Sequence, residues 1–154
     1  MKKQSLKERT RERMIDGVNT ATGRGDCAEV AVLQQRQSWV VAACAGLVFL
    51  VMLFLNTQLE LGSLINGAIA GIAIAVPLTL LTTNFWLGYC DGTVVLVSVS
   101  KFSSKAVATV GEWPYPVQAS IGRGWLIKKV KLCGSDYLLA KQFEDRFRAI
   151  TGSA

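Results

Sequence analysis

Two long stretches without a charged residue, 39–55 and about 64–81, dominate the pattern of apolar and polar positions along this chain. Between them lies a short polar segment around Gln58, Glu60 and Ser63. Positions 40 to 55 offer no polar face to water, and the second stretch offers only Asn66, Thr79 and small residues. Seventeen helical residues at ~1.5 Å each reach ~26 Å, close to the ~30 Å hydrocarbon core once interfacial flanks are added. A surface helix of a soluble protein keeps a polar stripe, and neither stretch has one. The pattern predicts a membrane α-hairpin of two transmembrane helices. Some thirty-eight residues precede the first stretch, so it does not read as a cleavable signal peptide.

Within the hairpin, Gly67-x-x-x-Gly71 forms a small-residue strip and Ala42-x-x-x-Gly46 a similar one. Such strips allow close backbone approach, either within the hairpin or between copies in an oligomer. Pro77 removes an amide donor and predicts a kink late in the second stretch. Trp39 suits a water–lipid boundary. Eight basic residues precede the first stretch, nine follow the second, and the connecting loop has none. The positive-inside rule then puts both termini in the cytoplasm of a multi-pass cell-membrane protein.

Outside the hairpin the pattern changes twice. Residues 1–16 are dense in charge, with Glu8 and Arg11, Arg9 and Glu12, and Arg13 and Asp16 at helical three-residue spacing. Two readings stay open for this segment: a surface-lying amphipathic helix, or a solvated basic tail within a region 1–25. Gly17 to Gly25 reads as a flexible break. Asp26 followed by Glu29 fits a capping box, so the first membrane helix is expected to start near Cys27 within a hairpin region 26–83.

After Thr83 the chain is β-rich. Asp91-Gly92 is a strong two-residue turn signal, and residues 93–100 are rich in β-branched side chains. Further strands are expected over 106–110, 116–121 and 125–132, with Gly122-Arg123-Gly124 and Glu112-Trp113-Pro114 as punctuation. A closing helix is expected from a Ser135 or Asp136 cap to Gly152, its apolar face made by Leu139, Phe143, Phe147 and Ile150. Four or five strands and one helix make 84–151 a small α+β domain.

The turn Tyr89-Cys90-Asp91-Gly92 before Val94 to Val97, the middle turn Ile121-Gly122-Arg123-Gly124-Trp125, and the helix around Phe143 and Phe147 carry a resemblance. Over roughly 84–151 the chain resembles the bacterial pleckstrin-homology-like domains found on small two-span membrane proteins. That resemblance implies binding or scaffolding, a bacterial inner-membrane location and no inherited site residues.

Composition narrows the chemistry. The chain has no histidine, which removes Ser-His and Cys-His dyads and the commonest zinc sites. Cys27, Cys44, Cys90 and Cys133 are far apart, and a reducing compartment predicts no disulfide among them. No phosphate-binding loop or metal cluster is present, so no cofactor, metal, small-molecule substrate or enzymatic activity is expected. The one cluster with a functional reading is Arg123, Lys128, Lys129 and Lys131. Lys129 and Lys131 share a strand face, with Arg123 at the adjacent turn. At a net charge of +6, anionic lipid of the cytoplasmic leaflet or an acidic partner fits this face better than nucleic acid, for which Trp125 alone is a thin stacking platform. The expectation is a non-enzymatic integral membrane protein anchoring a cytoplasmic binding or scaffold domain, as an accessory subunit of a membrane complex. The alternative is an oligomeric pore-former or small transport component.

Overall fold

The computed structural model describes residues 6–36, 38–59, 67–68, 70–72, 75, 79–101 and 103–153. They divide into two units, one joining the chain up to Gln35 with the chain from Thr83, the other running from Arg36 to Thr82. The first unit opens with helix α1 (Leu6–Thr22) and strand β1 (Cys27–Arg36). Helix α2 (Ser38–Leu59) belongs to the second unit. The first unit then resumes with β2 (Thr82–Cys90), β3 (Thr93–Val99), β4 (Ala106–Pro114), β5 (Ala119–Ile121), β6 (Ile127–Leu132) and β7 (Ser135–Ala140). A 3-10 turn (Lys141–Phe143) and a short helix, α3 (Glu144–Thr151), end it.

Seven strands form one sheet in the order β4-β3-β2-β1-β7-β6-β5, and every pair with a described register is antiparallel. Two-residue turns set two of these pairings. Asp91 and Gly92 both adopt positive φ and close the β2–β3 hairpin at Cys90↔Thr93. Cys133 and Gly134 do the same for β6 and β7 at Leu132↔Ser135. Positive φ at both central positions matches the twist of the flanking strands, which is why Asp-Gly is so strong a hairpin signal.

The sheet is buried on both faces over its central strands. On the inner face Leu33, Leu87, Leu96, Leu132 and Leu139 pack with Phe147 and Ile150 from α3. On the outer face Val30, Trp86, Val95 and Val97 pack with Met14 and Val18 from α1. Val94 to Val97 are all buried, so β3 reads as a continuous apolar run rather than an alternation.

Several expected elements differ. The transmembrane hairpin over 39–55 and 64–81 is overturned: among the described residues no helix is long and apolar enough to cross a membrane. The integral membrane anchor, the pore-former and the multi-pass cell-membrane location fall with the crossing helices they required. Glu60, Ser63, Asn66, Pro77, Lys2 and Lys3 lie outside the described residues, as does the Trp39 side chain.

The Asp26 capping box is not used. Residues 27–36 form a strand instead, because Cys27, Val30, Ala31 and Leu33 are all buried between neighbours and Leu33 pairs with Leu139. Tertiary pairing outweighs the local helix signal here. The Cys27 N–H donates to Asn19 Oδ1 at 3.2 Å, and Cys27 is joined to Cys90 by a disulfide, where none was expected. Gly17 is part of α1 rather than of a break: a Cβ there would meet the Trp86 ring at 2.4 Å. The expected helix from Ser135 is split. Leu139 faces inward from β7, and α3 supplies only Phe147 and Ile150 to the apolar face that had been read as one run. Gly152, in the left-handed region with its N–H donating to the Arg148 carbonyl at 2.8 Å, ends α3 as its position predicts.

Candidate functional site

The β5–β6 turn gathers the most chemistry on the least protein. Its backbone is fixed at two points. The Gly122 N–H donates to the Lys129 carbonyl at 2.7 Å, and the Lys141 N–H donates to the Leu126 carbonyl at 2.9 Å. The chain doubles back so closely that a Cβ at Gly124 would lie 2.2 Å from the Ile127 carbonyl oxygen. No side chain is accommodated at that distance, so glycine is required for the close approach.

This turn holds three consecutive large apolar side chains in solvent: Trp125 is 82% exposed, Leu126 69% and Ile127 55%. On β6 the side chains alternate. Val130 and Leu132 are buried inward, while Ile127, Lys129 and Lys131 point outward and are exposed. Arg123 is exposed on the turn itself, and Lys141 is exposed where its backbone meets Leu126. Among the described residues none of Arg123, Lys129, Lys131 and Lys141 takes part in an ion pair. Asp136 stands opposite Lys131 across the strands without forming one.

Lys128 is separated from the other three expected site residues. It lies on the inward side of β6, and its ammonium sits 2.7 Å from the Glu144 carboxylate of α3. Arg148 approaches the same carboxylate at 3.3 Å. The hydrogen bond from Lys128 holds the Glu144 carboxyl below the usual carboxylate range, against the opposing effect of burial and with Arg148 assisting. Lys128 therefore ties the strand to the closing helix and is not available to a partner. Period-2 alternation along 125–132 already placed Lys128 on the opposite face from Lys129 and Lys131. Sequence reasoning missed Trp125, Leu126, Ile127 and Lys141 as site residues; the run of three large apolar residues directly after Gly-Arg-Gly was the available signal.

The other expected contact residues belong to the second unit. Ala42, Gly46, Gly67 and Gly71 are exposed, and added Cβ atoms at the three glycines would meet nothing within 4 Å. No catalytic constellation accompanies the turn. Among the described residues no three His, Cys, Asp or Glu side chains come together as a metal site would need. Burial pushes the Cys133 thiol up, away from the thiolate a nucleophile needs. Comparison with known proteins finds no matching family model, no matching curated protein and no matching solved structure.

Proposed function

We propose that this chain is a non-enzymatic recognition module that engages an anionic surface through the β5–β6 turn and the outer side of β6. The observation that carries this reading is the presence of Arg123, Lys129 and Lys131, all exposed and, among the described residues, without ion-pair partners, on a backbone-anchored turn and the strand it leads into. Exposed cations already paired with neighbouring carboxylates contribute little to recognition, whereas unpaired ones act together on an approaching negative surface. Seven strands and one C-terminal helix packed on the sheet also support placing the unit among pleckstrin-homology-like modules, whose implied role is binding or scaffolding.

Retention of the full chain on sulfonate-bearing beads, measured against increasing salt, tests the reading. Each cation beside an anionic surface contributes ~1 kcal/mol, so a triple Arg123, Lys129, Lys131→Gln variant is expected to lose ~3 kcal/mol. A second triple, Arg9, Arg13, Lys105→Gln, changes the net charge equally at other exposed positions and is expected to lose much less. Equal losses in the two variants would mean that net charge alone drives retention and that no site exists.

A further inference from the structure

We infer that the partner of this turn is the interface of an anionic lipid bilayer. Trp125, Leu126 and Ile127 enter the boundary between headgroups and acyl chains, and Arg123, Lys129, Lys131 and Lys141 meet the headgroup phosphates. The inference rests on the anionic-surface reading and adds what that surface is made of. The contact is peripheral and needs no crossing helix.

Cations alone do not discriminate between a lipid surface and an acidic protein; the apolar triplet does. Three large apolar side chains stand in solvent at the tip, held out by a turn whose backbone is fixed at Gly122 and Leu126. A stable protein interface takes ~800 Å² and 20–30 residues from each side. This patch has seven side chains on one turn and the adjoining strand and loop, too few for that area. A bilayer sets no such minimum, because a few apolar groups and a few cations add their contributions at a surface that extends in every direction. Trp125 has the amphipathic ring that suits the headgroup boundary. Lys129 and Lys131 follow Ile127 at alternate positions of β6, so the charges lie behind the apolar tip along the strand. This matches the order in which a bilayer presents acyl chain and phosphate to an inserting tip.

The test uses the full chain with an environment-sensitive dye on Leu126→Cys, in a Cys44→Ala, Cys133→Ser background that removes the free thiols and keeps the disulfide. A second sample carries the dye on Thr109→Cys, exposed on the far edge of the sheet. Both are mixed with vesicles of phosphatidylcholine or of equimolar phosphatidylcholine and phosphatidylserine, each with nitroxide-labelled acyl chains. Quenching is expected at position 126 and not at 109, and only on the anionic vesicles. A Trp125→Ser, Ile127→Ser double variant is expected to bind those vesicles roughly ten-fold more weakly. Sedimentation with anionic vesicles that depends on Arg123, Lys129 and Lys131 without quenching at 126 would overturn the lipid insertion and leave the anionic-surface reading intact. Binding indifferent to both lipid charge and those cations would overturn both. Equal quenching at 126 and 109 would show adsorption without a site and overturn the inference.

Discussion

The outer face of the sheet has two halves with opposite character. Over β1, β2 and β3 it is covered by α1, and Val30, Trp86, Val95 and Val97 are buried against Met14 and Val18. Over β6 and β7 the same face carries Lys129, Lys131 and Asp136 in solvent. The register makes this one continuous face, since Lys129 pairs with Leu138 and Leu138 with Gln34 of β1. Side-chain chemistry thus follows coverage over β1 to β3, β6 and β7, while the edge strand β4 exposes Val107 and Val110. Ile127 and its neighbours Trp125 and Leu126 break the rule: they are apolar where nothing in the unit covers them. Three consecutive exposed apolar side chains at one turn support the proposed contact there.

The largest expected effect lies on the opposite, inner face. Phe147 is fully buried there, and Phe147→Ala is expected to cost ~4 kcal/mol in denaturant unfolding, against ~2 kcal/mol for Val18→Ala on the sheet-facing side of α1. Equal costs would mean that α1 binds the sheet as tightly as α3 does. Next comes the Cys27–Cys90 bond, which closes a sequence separation of 63 beneath the α1-covered half. In the chain-entropy picture its reduction lowers stability by at most ~4 kcal/mol, and typical values are 2–4 kcal/mol. The measurement is a pair of melts with and without a dithiol, and coincident melts would show that the bond contributes nothing.

Gly17→Ala sharpens the comparison from the helix side. The new methyl would press on the Trp86 ring, and the expected loss is ~1–3 kcal/mol with faster amide exchange along α1. Unchanged exchange would mean that α1 has room to shift over Trp86. The smallest effect separates two adjacent lysines. Lys129→Gln is expected to leave stability within ~0.5 kcal/mol, because the side chain is exposed and, among the described residues, takes part in no ion pair. Lys128→Gln is expected to change the acid limb of unfolding instead. The folded Glu144 carboxyl titrates below its ordinary value of 4.5, so its contribution is present above that pH and is lost as pH falls through the depressed value. Without Lys128 that loss should begin at higher pH. An acid limb identical to the parent's would show that Arg148 alone holds the carboxylate.

Legibility differed from element to element for physical reasons. The Asp91-Gly92 hairpin, the Gly152 helix end and the outward pair Lys129 and Lys131 follow from backbone sterics and period-2 geometry, which act within a few residues. The strand at 27–36 was read as helix because its partners, β7 and Cys90, are distant in sequence. The helix expected from Ser135 failed because Leu139, Phe143, Phe147 and Ile150 share an apolar spacing while belonging to a strand, a 3-10 turn and a helix. The two uncharged stretches showed composition clearly. The inference of spanning helices drawn from them is overturned, since among the described residues no helix is long and apolar enough to cross a membrane. Of the site, the cations were visible and the apolar tip was not, since an exposed tryptophan and a buried one look alike in sequence.

What the residues determine by themselves is short-range. They specify where the chain turns, which side chains alternate across a strand, and that no histidine-based chemistry is possible. Tertiary structure decided the rest. It bonded Cys27 to Cys90, drew α1 and β1 into the β-rich unit from the other side of the apolar region, removed Lys128 from the cationic face, and left residues 125–127 uncovered. Each of these depends on which strands become neighbours. That is settled by burial summed over the whole sheet, and no local window of sequence contains the sum.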